Sequence, residues 1–303
     1  MPPRPGRPRC GRPPSSPRPL RTKRTACHAS PWAVPVPRMD ASRRRRAEKY
    51  AAYLETAEGR LRSDLSFDNL RNFLPLKASD SQGNDSLRAL DVGCGTGATG
   101  VRLARLGIHV TLLDSSAAML DIAKRRVEEA GVAEKVVLQH GDATQLTNLF
   151  HAASFDLILC HNVLENLDDP DAVLCGAARA LRDSSAILSV LVRNRAGEVF
   201  KAAIQAGDLA AAENNLTAEW GQESLYGGRV RLFTPDSLRA TLKAASLGVV
   251  AERGVRVLAD YLPSRISRSD EYERIFELER KLGGRPEYAA VARYTQCFAR
   301  LDP

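Results

Sequence analysis

The sequence lacks three features that would define a membrane, disulfide-stabilised or metal-binding protein. It has no run of about 18 apolar residues and no secretory apolar segment, so we expect no membrane partner. Its six cysteines form no Cys-x-x-Cys pair, which favours a reduced, cytoplasmic environment. Its five histidines are scattered, none three or four positions from another histidine or a cysteine, so we expect no metal. The sequence does not indicate an oligomeric state.

The net charge of +8 comes from the first 39 residues. That segment has nine Lys or Arg, no Asp or Glu and eleven of the seventeen prolines, whereas the rest has 35 basic and 36 acidic residues. We expect residues 1–39 to form a disordered tail, because they are too rich in proline to bury a core. Three interpretations stay open: an organelle transit peptide, a basic arm that touches RNA, or an upstream extension of a body that begins at Met39.

Short apolar runs alternate with helical patterns over most of the remaining chain. Seven segments are predicted to be strands: 87–92, 109–114, 135–140, 155–160, 186–194, 249–258 and 289–300. One of the helices between them covers 116–131, with Ser116 at its start and Gly131 at its end. Continuous apolar strands between helices indicate a parallel sheet that is covered on both faces. The predicted fold class is α/β, a doubly wound, mostly parallel seven-stranded sheet.

We expect one domain over residues 40–303. Two N-terminal helices, at 43–62 and 67–74, precede the sheet. The domain has three predicted parts: a core at about 86–194, a mostly helical insertion at about 195–232 and a C-terminal completion of the sheet at about 233–300. The insertion is the candidate substrate lid, because ligands of such sheets bind beyond the carboxyl ends of the strands.

The segment ALDVGCGTGATG, which contains the first strand, supports two interpretations. Gly95, Gly97 and Gly100 form the G-x-G-x-x-G pattern of a dinucleotide site. Alternatively, Asp91 is an acidic residue followed by the alternating glycines Gly93, Gly95 and Gly97. A carboxylate at this strand end repels a diphosphate but favours the ammonium and sulfonium groups of S-adenosylmethionine. Asp91 therefore favours S-adenosylmethionine, with the loop amides serving its carboxylate.

Polar residues also follow the next three predicted strands. Asp114 is positioned to accept hydrogen bonds from ribose hydroxyls. Asp142 is positioned to accept from an adenine amino group, with the Ala143 amide facing the ring. His161 begins a polar segment where the methyl group of the donor would project. We expect these residues to converge on one crevice, because the carboxyl ends of parallel strands share an edge.

These residues resemble the motifs of class I S-adenosylmethionine-dependent methyltransferases over residues 87–194. Over about 47–300 the chain is similar to the bacterial tRNA 5-carboxymethoxyuridine methyltransferases, in AEKYAAYLETAEGRLR, FDLILCHNVLENLDDPDAVL, GVRVLADYL and ARYTQCFAR. The resemblance implies a Rossmann-like fold, S-adenosylmethionine as cofactor and tRNA as partner. It also implies an activity, the conversion of the carboxylate of a modified wobble uridine into its methyl ester.

The family's cofactor contacts can be carried onto this sequence position by position. They fall on Arg62, Gly93, Cys94, Asp114, Asp142, Ala143 and His161, and the predicted site also includes Asp91, Gly95, Gly97 and Ser115. Two features depart from the family: Cys94 stands where glycine is more common, and RDSSAIL replaces a Pro-Gly turn. The insertion matches least, so the substrate is less well defined than the chemistry.

A carboxylate acceptor is already ionised at neutral pH, so its methylation needs a cation rather than a general base. Arg256 is the predicted holder of that carboxylate through two parallel hydrogen bonds. Tyr261 is predicted to line the same pocket and stack on a base. The structural alternatives are an ion pair of Arg256 with an acid and a core position for Tyr261.

Three other functions stay open from the sequence. The chain could be a small-molecule methyltransferase for an O, N or C acceptor, which a deep apolar cavity would favour. It could be a non-catalytic RNA-binding or adaptor protein on the same fold. Finally, the glycine pattern leaves an NAD oxidoreductase open.

Overall fold

The computed structural model describes residues 41–74, 86–223, 225, 227–263 and 265–302, and the predicted tail lies outside them. The helices are α1 Ala41–Glu55, α2 Ala57–Arg71, α3 Ala98–Arg105, α4 Ala117–Glu129, α5 Leu146–Leu149, α6 Asp171–Ala180, α7 Arg195–Phe200, α8 Leu209–Asn215, α9 Pro235–Ala244, α10 Tyr272–Gly283 and α11 Pro286–Ala289. The strands are β1 Arg88–Val92, β2 His109–Asp114, β3 Val136–His140, β4 Leu157–His161, β5 Ile187–Arg193, β6 Trp220–Gln222, β7 Arg229–Arg231, β8 Leu247–Val255 and β9 Tyr294–Leu301.

The seven long strands form one sheet in the order β3-β2-β1-β4-β5-β9-β8. Strands β1 to β5 are parallel, and β9 runs antiparallel to both of its neighbours. This arrangement confirms the predicted doubly wound, mostly parallel fold. The strand order reverses between β1 and β4, so a crevice opens at their carboxyl ends, where ligands of such sheets bind.

The centre of the sheet carries the hydrophobic core. Every residue of β5 is buried, and four of the five residues of β1 are buried. Helices α6 and α9 cover this region, and Leu174, Leu238 and Phe155 belong to one cluster with the strand residues. Burial of the strands on both faces explains why they are continuous apolar runs in the sequence.

The N-terminal segment forms two helices that break between Glu55 and Ala57, so the helix predicted for 43–62 was wrong in extent. The hydroxyl of Thr56 accepts the amide hydrogen of Gly59 at 3.1 Å and caps α2. A side chain at Gly59 would overlap the carbonyl of Tyr53, so only glycine fits where the two helices meet. The second predicted helix, 67–74, belongs to the end of α2.

The insertion is helical at first, as predicted, but it ends in an unpredicted β-hairpin. Helix α7 continues into a π-helix over Lys201–Gln205, and α8 follows. Strands β6 and β7 then pair antiparallel around Trp220 and Arg231. The hairpin strands have three residues each, too short to leave an alternating pattern in the sequence.

Strand β8 ends at Val255, three residues before the predicted end. The next residue, Arg256, has a φ of +61°, a left-handed conformation that ends the strand. Among the residues that the structure describes, every helix is too short or too polar to span a bilayer.

Candidate active site

A cavity of about 590 Å³ lies at the carboxyl ends of the parallel strands. Gly93 and Gly95 line it from the loop after β1, Asp114 from the end of β2 and His161 from the end of β4. Asp91 lines an adjoining hollow of about 50 Å³, which shares Gly93 and His161 with the larger cavity. Residues from three of the four predicted motifs, those after β1, β2 and β4, therefore meet in one crevice.

The loop after β1 depends on three glycines in left-handed conformations. Gly93, Gly95 and Gly97 have φ values of 64°, 54° and 71°, which other residues rarely adopt. At Gly93 a Cβ atom would lie 2.5 Å from Cγ2 of Val163. The chain thus passes from β1 into α3 through a turn that exposes backbone at the cavity wall.

Asp114 fixes this loop to the end of β2. Its Oδ2 accepts the amide hydrogen of Gly95 at 2.8 Å, and its Oδ1 accepts that of Ser116 at 2.8 Å. Each oxygen keeps a second lone pair that can accept from a ligand. Ser115 is exposed and does not line the cavity, whereas Ser116 does.

Asp91 is a buried carboxylate, with 4% of its surface exposed. Burial and the charge of Asp114 raise the pKa of Asp91 to about 7, although the amide of Gly100 opposes the shift. No cation among the described residues pairs with Asp91, so a cationic ligand would relieve this cost. Cys94 lines the same hollow, and burial raises the pKa of its thiol, which therefore stays protonated.

Asp142 and Ala143 follow β3 and line neither the large cavity nor the adjoining hollow. Asp142 is exposed and caps a short 3-10 helix, because its Oδ1 accepts the amide and hydroxyl hydrogens of Thr144 at 2.8 Å. These bonds hold the pKa of Asp142 below its ordinary value. The contact of Asp142 with adenine stays a prediction.

His161 is a neutral imidazole at the end of β4. Its Nε2 lies 2.8 Å from the hydroxyl oxygen of Ser189. Burial, followed by the charge of Arg62, lowers the pKa of His161 to about 3. The ring can form hydrogen bonds but carries no proton for acid catalysis at neutral pH.

Arg62 is a buried residue of α2 and is enclosed by tyrosines. It donates to the hydroxyl of Tyr50 at 2.9 Å. Its guanidinium carbon lies 5.8, 5.1 and 5.6 Å from the ring centres of Tyr50, Tyr53 and Tyr294. Burial opposes its charge, but these phenols raise the pKa of Arg62 well above the ordinary value. Within the described residues no carboxylate forms an ion pair with it.

Tyr294, at the start of β9, is surrounded by positive charge. Burial by itself would raise the pKa of its phenol, but Arg62, Arg193, Arg256 and Arg293 lower it to about 8. The guanidinium carbon of Arg193 lies 6.0 Å from the ring centre. All four arginines line the cavity with Tyr294, so guanidinium groups surround the phenol in this part of the cavity.

Two carboxylates bind three of these arginines. Glu198 pairs with Arg193 at 3.0 Å and with Arg293 at 2.8 Å. Asp260 binds Arg256 and lies 3.6 Å from Arg293. These ion pairs occupy guanidinium donors that would otherwise point at a ligand.

Arg256 lines the cavity, but its donors are engaged. Its Nε donates to Oδ1 of Asp260 at 2.9 Å, its second terminal nitrogen contacts the same oxygen, and the first donates to the hydroxyl of Tyr53 at 3.1 Å. Arg256 therefore forms the ion pair with an acid that was the structural alternative in the sequence analysis. Tyr261 does not line the cavity, and its hydroxyl donates to the carbonyl oxygen of Gly197 at 3.3 Å.

Sequence reasoning missed the tyrosines and several charged residues of the site. Tyr50 and Tyr53 occur three residues apart in a helical pattern, which places them on one face, but nothing local says that this face covers the glycine loop. Lys201 likewise lies beside the cavity only because of how the insertion folds, whereas Arg193 lies there because it ends β5. No group of three His, Cys, Asp or Glu side chains in the described ranges could hold a metal ion.

Residues 89–184 match the family described as a methyltransferase domain. With the glycine loop, the strand-end acids and the sheet order described above, this match defines the class, and the chain belongs to the S-adenosylmethionine-dependent methyltransferases. More particularly, it is 30% identical over 261 residues to the tRNA 5-carboxymethoxyuridine methyltransferase of Escherichia coli (strain K12), across 84% of this chain and 94% of that protein.

Other relatives share the fold and the class but differ in substrate. A ubiquinone biosynthesis O-methyltransferase of Maricaulis maris is 30% identical over 174 residues, which cover 56% of this chain and 63% of that protein. A Thermotoga maritima S-adenosylmethionine-dependent methyltransferase, a possible histamine N-methyltransferase, superposes with a TM-score of 0.53 at 17% identity, covering 85% and 96% of the two chains. The methyltransferase assignment replaces the NAD oxidoreductase and non-catalytic alternatives.

Proposed function

We propose that the chain methylates the carboxylate of 5-carboxymethoxyuridine at the wobble position of a tRNA. The similarity to the Escherichia coli enzyme extends over 84% of this chain and 94% of that protein. The observation that carries the proposal is Tyr294 among four guanidiniums. A potential that lowers the pKa of a buried phenol also stabilises an acceptor carboxylate.

The cofactor end of the cavity suits S-adenosylmethionine. Asp91 is buried without a cationic partner among the described residues, and Gly93 and Gly95 bring backbone close to a ligand. Asp114 retains acceptor capacity for ribose hydroxyls. These residues would hold the cofactor together with Arg62, which the family resemblance implies as a further cofactor contact.

The bound cofactor supplies an electrophilic methyl group, which a carboxylate oxygen takes in one displacement, leaving the C–S electron pair on sulfur and giving a neutral ester. The protein therefore contributes alignment and a water-poor pocket rather than proton transfer. The lowered pKa of His161 makes its ring a poor base, which agrees with a reaction that requires none. Tyr50 covers the glycine loop and helps to exclude water, with its ring 3.3 Å from the position of a Cβ on Gly95.

The lining of the cavity supports a charged acceptor rather than an apolar one. Met119 and Leu225 are the aliphatic side chains among its described lining residues, and most of the others are charged, amide-bearing or tyrosine. A polyprenyl or other apolar substrate would leave these polar groups without partners, which costs binding energy. The sequence-based criterion for a small apolar acceptor, a deep apolar cavity, is not met.

The test is incubation of the purified full chain with methyl-labelled S-adenosylmethionine and tRNA from a strain that lacks the endogenous esterifying activity. Nucleoside mass spectrometry should detect labelled methyl ester on carboxymethoxyuridine. The matched control is tRNA from a strain that cannot add the carboxymethoxy group, which should take up no label. Label in small metabolites but not in tRNA would reject the proposal and favour a small-molecule methyltransferase.

A further inference from the structure

The π-helix Lys201–Gln205 belongs to a firmly held segment at the acceptor end of the cavity. This is the end that Arg193, Arg293 and Tyr294 line. Asn194 caps α7 and donates to the carbonyl oxygens of Ala290 and Ala292 at 2.9 Å. The amide of Ala206 bonds to the carbonyl of Lys201 at 3.1 Å, the five-residue spacing of a π turn. Such turns are rare and are often found at functional sites.

Lys201 has an ammonium group that the fold does not use. It lines the cavity and is half-buried, yet it forms no ion pair or hydrogen bond within the part of the chain that the structure describes. Burial, followed by the charge of Arg293, lowers the pKa of Lys201, and Glu198 only partly opposes this. A half-buried cation beside other cations gains from an anionic ligand.

The other cations at this end are already engaged. Asp260 and Tyr53 occupy the donors of Arg256, and Glu198 binds Arg193 and Arg293. Lys201 is thus the cavity cation that has no carboxylate within ion-pair distance and no hydrogen bond to a phenol among the described residues.

Gln205 lies four positions after Lys201, about one turn of a π-helix, and lines the same cavity. Its carboxamide has no hydrogen-bond partner within the described ranges. A carboxamide offers one acceptor and two donors, which match the alternating oxygen and N–H groups on the edge of a uracil ring.

We propose that Lys201 binds the acceptor carboxylate and that Gln205 binds the edge of the base that carries it. The inference rests on the proposed function and makes the π-helix the element that selects a carboxylate-bearing uridine. Esterification removes the negative charge that Lys201 holds, so the methylated base binds more weakly than the substrate. The same contact thus binds substrate and lets product leave.

The experiment compares Lys201→Met, Lys201→Arg and Gln205→Ala with the wild type, on tRNA with and without the carboxymethoxy group. Lys201→Met should raise KM for the carboxylate-bearing tRNA at least tenfold, and Lys201→Arg should recover most of the loss. Gln205→Ala should raise KM several-fold. Calorimetry should give an unchanged Kd for S-adenosylmethionine in all three variants. Lys243→Met, at the exposed end of α9, is the matched control and should behave as wild type.

The outcomes separate the two proposals. A wild-type enzyme that esterifies the tRNA, with Lys201→Met equal to it in KM, overturns the role of Lys201 and leaves the function standing. The Kd of Lys201→Met for tRNA with and without the carboxymethoxy group is the second readout. An equal rise in both Kd values also overturns the role, since Lys201 would then hold phosphate. A wild-type enzyme that transfers no methyl to this tRNA rejects the function itself.

Discussion

The amide of Gly95 donates to Oδ2 of Asp114 across 2.8 Å, joining the loop after β1 to the end of β2. The two residues are 19 positions apart, and each belongs to a motif that contacts the cofactor in the proposed function. One carboxylate therefore shapes the loop and also faces the ligand. Removing it should affect both the geometry and the binding of the cofactor.

Asp114→Ala should raise the Kd for S-adenosylmethionine by about tenfold to a hundredfold. A hydrogen bond to a charged group contributes roughly 1.5–3 kcal/mol, and about 1.4 kcal/mol corresponds to a factor of ten. Asp114→Asn should lie between the wild type and the alanine variant, because it keeps one acceptor. Calorimetric titration measures the change, and an unchanged Kd in the alanine variant would contradict the role of Asp114.

Asp91 should make cofactor binding depend on pH. Burial and Asp114 raise the pKa of Asp91 to about 7, so the carboxyl is increasingly protonated as the pH falls below that value. A cationic ligand prefers the ionised form, and the Kd should rise about tenfold from roughly pH 8 to pH 6.

The matched variant for this pH effect is Asp91→Asn, which has nearly the same shape and no titration. Its cofactor affinity should be lower at pH 8 and nearly flat across the range. A pH dependence of the same size in Asp91→Asn would assign the effect to another group. In the ligand-free protein the raised pKa affects the free energy of unfolding in the opposite direction. Protonated Asp91 stabilises the folded state at low pH, and this contribution is lost as the pH rises towards about 7.

Gly93→Ala should abolish measurable cofactor binding, whereas Gly131→Ala should leave it intact. Both glycines have left-handed φ values, of 64° and 66°, so each substitution costs roughly 1–2 kcal/mol of backbone strain. A Cβ at Gly93 also meets Val163 at 2.5 Å, while nothing lies within 4 Å of a Cβ at Gly131. Denaturant unfolding measures the stability of the two variants, and calorimetry measures their affinity for the cofactor. Equal losses of affinity would show that backbone strain, rather than the contact with Val163, weakens binding.

Arg256→Ala should lower the free energy of unfolding by about 3–5 kcal/mol, because it leaves the buried carboxylate of Asp260 without its main partner. Arg293 lies 3.6 Å from that carboxylate and still partly compensates its charge, so the loss should lie near the lower end of this range. Urea unfolding measures the change. A fully stable variant with a raised KM for tRNA would instead restore the sequence-based role of Arg256 as holder of the acceptor.

The core of the fold was predictable because its signals are local. Strand β2 has the bounds expected from HVTLLD, and Ser116 caps α4 where the sequence indicated a helix start. The hydroxyl of Thr234 likewise caps α9, with Ser237 completing the capping box. In these segments residue type and hydrophobic period agree, so little depends on distant contacts.

The acceptor end was not predictable in the same way. The motif of Arg256 predicted that it holds the acceptor carboxylate. In the structure Asp260, four residues later, binds Arg256, and Tyr53 contacts it from a helix about 200 positions away in the chain. Lys201 carried no motif at all. Which cation is free depends on which others find partners, and that depends on contacts between distant segments.

The sequence by itself determined the alternating α/β pattern, the glycine loop and the acids that end β1 and β2, because short-range backbone preferences and strand burial leave direct marks on residue type. Only the tertiary structure decided that Tyr50 of α1 covers the loop and that Asp142 does not line the cavity. It also decided that Arg256 is paired while Lys201 has no ion pair among the described residues. The reason is that ion pairing and burial are properties of neighbours in space, and here those neighbours are far apart along the chain.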